Sequence, residues 1–214
     1  MLFRNHVRAT AIGLAVAAAL LYNSWPLGYW LNPASADKSA SQLEGLHQPY
    51  NWLFVGLDIA SGVLALALSI WLWRTNRRSR WLAAVLICVA AFGMGTIVAA
   101  LVPVHCATAH HVCPSFTQAP YLIVHALASV ASALALSLAL LLVWWCNRHD
   151  RIVNLLLLAG IISGATTAYE MLAPGRDGGG EKVYLTICSL WLALLPVYIY
   201  RLAAYVAAPE TDKG

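Results

Sequence analysis

Residues 74–104 read RTNRRSRWLAAVLICVAAFGMGTIVAALVPV: four arginines (Arg74, Arg77, Arg78 and Arg80), then an apolar run from Trp81 to Val104. As a helix rising 1.5 Å per residue, ~20 such residues cross the ~30 Å of hydrocarbon in a bilayer. The arginines at its edge are the charge signature of a segment that begins on the cytoplasmic side. This stretch predicts a membrane-spanning helix and its direction together.

Working outward, the same reading gives six apolar segments at roughly 9–31, 50–73, 81–104, 119–146, 152–173 and 183–204. The fold class expected is all-α: a polytopic integral membrane protein, a six-transmembrane-helix bundle forming one domain over 1–214. Composition agrees, with 61% of the 214 residues hydrophobic and only 10% charged, against about 25% charged in soluble domains. Arg4, Arg8, Arg74, Arg77, Arg78, Arg80, Arg148, Arg151, Arg201 and Lys213 fall on one side of this topology. Lys38, Arg176 and Lys182 fall on the other. The positive-inside rule then places the N- and C-termini in the cytoplasm. The formal charge of +4 is held in these short clusters, which argues against a nucleic-acid partner. The first segment also admits a signal-peptide reading, with Ala34-Ser35-Ala36 as cleavage site, but its apolar stretch to Leu31 exceeds the usual 7–15-residue h-region.

Small residues at four-residue spacing let helix backbones approach. Gly160 with Gly164, Gly56 with Ala60, and the strip Ser129, Ala133, Ser137 are expected packing surfaces. Of five cysteines, Cys106 and Cys113 are the two expected outside, where oxidation is permitted, so a disulfide is expected between them. The competing reading of that loop is metal binding through His105, His110 and His111, with His125 as a further candidate, since imidazole and thiolate suit zinc or copper.

Four polar residues interrupt the apolar runs: Asn23, Asp58, His125 and Glu170. Helix rise puts them ~12, ~12, ~8 and ~5 Å below the outer ends of their segments, all in one half of the membrane. A charge at the bilayer centre costs about 2.5–3.5 kcal/mol even on the lenient insertion scale. Each also has a plain structural explanation. Asn23 can satisfy backbone freed near Pro26, Glu170 can pair with Arg176 or Lys182, and His125 can bond a neighbouring helix. Asp58, between Leu57 and Ile59, has no local cation, and an Asp58–His125 pair is the economical solution.

Three function classes follow. The preferred one is an outward-facing polar pocket that binds or handles a lipid or other amphipathic small molecule. Its ligand-binding candidates are Asn23, Asp58, His125 and Glu170, joined by Glu44 and His47 from the first outer loop. The alternative is a metal-dependent hydrolase acting on a lipid, with Asp58, His125 and Glu170 catalytic and zinc as its metal. No HExxH motif supports it. The third is a structural subunit of a membrane complex, its polar residues fixing helix register.

The stretch Ser41-Gln42-Leu43-Glu44-Gly45, then Pro49-Tyr50-Asn51-Trp52-Leu53-Phe54 and Gly62, carries a family resemblance. So do Gly93-Met94-Gly95, Pro103-Val104-His105 and His125 in the following helix. These resemble the bacterial membrane-protein family called domain of unknown function 998. The resemblance implies a six-helix bundle in the bacterial inner membrane. It carries no established activity, so no catalytic residue transfers with it. The His/Cys loop at 105–113 departs from the pattern. A looser similarity to DRAM-like membrane proteins, associated with lipid handling, favours the lipid-binding class.

Overall fold

The computed structural model describes residues 2–35, 38–75, 80–102, 120–172 and 178–207. Seven α-helices occur among them: α1 (Leu2–Tyr22), α2 (Gly28–Leu31), α3 (Asn51–Thr75), α4 (Arg80–Leu101), α5 (Pro120–Cys146), α6 (Arg151–Leu172) and α7 (Gly179–Ala207). Short 3-10 turns at Trp25–Leu27, Pro33–Ser35 and Ala40–Glu44 carry the chain from α1 to α3. Six spans are long and apolar enough to cross a membrane, the first running His6–Leu31 through α1 and α2. The protein is a six-span, all-α membrane helix bundle.

The ends of the helices follow local chemistry. The first span breaks at Asn23–Leu27, where Pro26 lacks the N–H that a continuous helix requires, and the chain tightens into a 3-10 turn. Pro120 opens α5, a position where its missing donor costs nothing. Asp150 caps α6: its Oδ1 accepts from the amides of Ile152 (2.9 Å) and Val153 (3.2 Å). It also accepts from the Tyr198 hydroxyl at 3.1 Å and pairs with Arg201 at 3.1 Å, tying α7 to the α5–α6 connection. Partial burial pushes the Asp150 carboxyl up. The hydrogen bonds from Val153, Tyr198 and Ile152, with the Arg201 charge, outweigh that and hold it below the ordinary range.

The helices close into a ring in the order α1, α3, α4, α5, α6, α7 and back to α1, with α5–α6 the thinnest contact. α3 and α4 approach each other backbone to backbone. A Cβ on Gly62 would sit 2.6 Å from the Gly93 carbonyl oxygen, and one on Gly93 would sit 2.6 Å from the Gly62 carbonyl oxygen. Ala11, Ala15 and Ala18, fully buried, give α1 a flat face for its neighbours, and Ser61 donates to the Ala18 carbonyl at 2.9 Å. The end that carries residues 75–80 and 146–151 is solid, packed with Leu68, Leu72, Leu82, Val85, Leu140, Val143, Leu195 and Ile199. The opposite end, where the 23–50 connection lies, is not.

Two packing expectations change. A Cβ added to Gly56 would meet nothing within 4 Å, so this glycine marks no helix contact. Gly160 and Gly164 are in ordinary contact with α7, at 3.9 and 3.6 Å, and with Ser129, Ala133 and Ser137 they also line a cavity. Small side chains permit close approach but do not compel it. The expected disulfide is also corrected: the structure shows none among the described residues, whose cysteines Cys88, Cys146 and Cys188 are free thiols on separate helices. Cys106 and Cys113 lie outside the described residues.

Candidate functional site

A cavity of about 380 Å³ occupies the loop end of the ring, within the size range of small-molecule sites. Every span contributes to its wall. The 3-10 turn at Ala40–Glu44 forms part of it, because Leu43 folds back onto Gly28, where a Cβ would come within 2.8 Å of its side chain. Asn32 and Gln48 tie this connection together through a buried 2.6 Å side-chain hydrogen bond.

The fold of the connection carries Glu44 into the protein interior, where it hydrogen-bonds Asp58 of α3. Burial first, and the Asp58 charge second, raise the Glu44 carboxyl well above its ordinary value, so Glu44 holds the shared proton and donates it toward Asp58. Glu181, in the first turn of α7, faces the same cavity. It accepts from the Ser41 amide at 3.3 Å and is further bonded by Ser39, the Ser41 hydroxyl and the Ala40 amide. Gly178 makes this approach possible, since a Cβ there would overlap the Ser39 backbone.

His125 of α5 closes the wall. Its Nδ1 lies 3.0 Å from the Ala99 carbonyl and 2.9 Å from the Val102 carbonyl, at the end of α4. Carbonyls only accept, so Nδ1 carries the proton and satisfies orphan groups of the helix terminus. Nε2 has no hydrogen-bond partner among the described residues, and the ring lines the cavity. Further along α5, the Tyr184 hydroxyl bonds the Ser137 hydroxyl at 2.8 Å and the Ala133 carbonyl at 3.0 Å, about 20–25 Å of helix rise from the start of α5. Tyr22, Trp25 and Phe54 supply aromatic walls, with Tyr22 edge-on to Phe92 at 4.9 Å.

The structure thus brings together Asp58, His125 and Glu44 of the residues singled out from sequence. Asp58 hydrogen-bonds Glu44, while the Nδ1 of His125 serves α4. Asn23 stands beside the cavity, its Oδ1 accepting from Trp25 Nε1 at 2.9 Å and the Thr186 hydroxyl at 3.1 Å, so it orients Trp25 and joins the broken span to α7. Glu170 is elsewhere: both its oxygens accept from the Gly180 amide, at 2.9 and 3.0 Å, at the beginning of α7. His47 is exposed, at φ 73°, and does not line the cavity. Among the described residues no group of three His, Cys, Asp or Glu side chains could hold a metal ion; His105, His110 and His111 lie outside them. Sequence reading missed Glu181, whose only signal is an acidic residue opening an apolar run, a favourable place for negative charge at a helix start.

The family described as "Protein of unknown function (DUF998)" matches residues 12–204. No curated protein and no solved structure matches the chain.

Proposed function

The chain belongs to this DUF998 family, and from its own geometry we propose that it is a multi-pass membrane protein whose cavity binds or handles a lipid or similar amphipathic molecule. The observation that carries this reading is where the cavity opens. Its lining includes Leu134 on α5 and Ile161 on α6, which are 64% and 61% exposed on the lipid-facing surface. They flank the thinnest contact of the ring. A cavity reached through that seam is in contact with the bilayer interior, so its natural occupant is a molecule already dissolved there. Glu44, Asp58, Glu181 and His125 lie at one end of it and apolar residues along most of the rest, matching a headgroup and a chain.

The charge pattern supports cytoplasmic termini and a polar end facing outward, in a bacterial cytoplasmic membrane, with the helices acting as one domain. Thiol labelling of single-cysteine termini from outside intact cells checks the orientation. The binding reading is tested by lipid retention. Protein purified in mild detergent is expected to carry lipid near one molecule per chain, measured by mass spectrometry of the extract. An Ala133→Phe variant, which fills the cavity, is expected to lose it, and Asp58→Asn to weaken it. Equal retention by the filled variant would defeat the proposal.

A further inference from the structure

The polar end of the cavity has a consistent hydrogen-bonding sense. Asp58 faces it as the acceptor of the Glu44 proton, Glu181 faces it with oxygens that accept from backbone and serine donors, and both retain lone pairs. His125 adds an independent observation. It is 9% exposed, its Nδ1 proton is committed to the Ala99 and Val102 carbonyls, and its Nε2, on a ring that lines the cavity, has no hydrogen-bond partner among the described residues. No Lys or Arg is among the described residues that line the cavity. The nearest cation along the chain, Lys182, places its ammonium 5.6 Å from the ring centres of Trp25 and Tyr29 and is not part of the cavity wall.

Such a wall disfavours an anionic headgroup. A phosphate or carboxylate would meet the acceptor oxygens of Asp58 and Glu181 and the imidazole lone pair, with no Lys or Arg among the described lining residues to balance it, in a region of low dielectric. A group that only donates meets every requirement at once. An ammonium carries three donors and a positive charge, and the rings of Tyr22 and Phe54 in the wall add favourable cation–π surfaces. We propose that the cavity selects an amine-bearing lipid, with its ammonium seated among Asp58, Glu181 and His125 and its chain toward the α5–α6 seam. This rests on the lipid-binding reading and gives it a headgroup class.

The test uses one chain with three headgroups. Radiolabelled hexadecylamine, hexadecanol and hexadecyl phosphate are titrated onto the full-length protein in neutral detergent, with butylamine as competitor to represent the headgroup without a chain. The amine is expected to bind at least tenfold more tightly than the alcohol, the phosphate not above background, and butylamine to compete weakly. Glu181→Gln and, separately, Asp58→Asn are expected to bring the amine down to the level of the alcohol. The wild-type comparison needs no variant, so a misfolded substitution leaves the outcome readable. Equal binding of amine and alcohol, or preference for the phosphate, would overturn the headgroup class and leave the lipid cavity standing. Saturable binding of none of the three chains would overturn both. Butylamine competing as well as hexadecylamine would point to a water-soluble amine and overturn the lipid.

Discussion

Glu44 is the residue whose placement sequence patterning conveys least and whose chemistry depends on it most. It comes from a polar connection between spans, where an acidic side chain ordinarily stays in water, yet it is 8% exposed because Leu43 beside it anchors on Gly28. Its carboxyl is raised by burial and by Asp58, so the folded protein keeps a proton there that the unfolded chain would release. The sign follows: the folded state binds more protons above the ordinary carboxyl value of about 4.3, so stability is full below that value and falls as pH rises toward the raised one. Thermal unfolding in detergent is expected at a lower temperature at about pH 8 than at about pH 5. Glu44→Gln keeps a donor for Asp58 and is expected to flatten that dependence; an unchanged slope would refute the buried pair. Asp58 and His125 were legible without a structure because ionisable groups inside long apolar runs are costly wherever they sit. Their partners were not, since Glu44 and the α4 carbonyls are brought to them by the fold of a connection and by a helix end. Glu181 escaped notice for a related reason: it stands at the border of a span, where a charge is expected anyway.

Helices were the most legible level, because spanning a bilayer fixes both length and composition. The expected segment 81–104 is α4 at Arg80–Leu101, and 119–146 is α5 at Pro120–Cys146. Contacts between helices were less so. Intimate packing occurs at Gly62 and Gly93, which have no small residue four positions away, whereas the four-residue motif gives cavity wall at Gly160 and Gly164 and no contact at Gly56. Which outcome holds depends on the neighbouring helix, and periodicity within one helix does not record it. Gly62→Ala is expected to destabilise by about 1–3 kcal/mol, because its methyl must push the α4 backbone away from α3. Gly56→Ala, entering open space, is expected to leave the melting temperature unchanged or slightly raised through better helix propensity. Side-by-side melting curves decide it, and equal losses at both positions would mean that α3 and α4 do not meet at Gly62.

At the scale of the whole molecule, the ring is solid at one end and hollow at the other, and its weakest seam borders the hollow. Apolar packing between α4, α3 and α1 keeps the far side of the ring shut, and on the seam side Tyr184 of α7 reaches α5 along the cavity wall through Ser137 and Ala133. Opening α5 from α6 would disturb few contacts, whereas opening any other pair of neighbours would break an extensive interface. The seam is therefore the route expected for lateral exchange with the membrane. With the five native cysteines replaced, Leu134→Cys and Ile161→Cys present one thiol on each side of it. Bridging them with a cleavable bifunctional thiol reagent is expected to slow exchange of bound radiolabelled lipid at least tenfold, and cleaving the bridge with reductant to restore it. Because the bridge leaves Glu44, Asp58, Glu181 and His125 untouched, the amount of lipid bound at equilibrium should be preserved while the rate falls. Exchange that continues at its original rate in the bridged protein would place the route elsewhere in the ring.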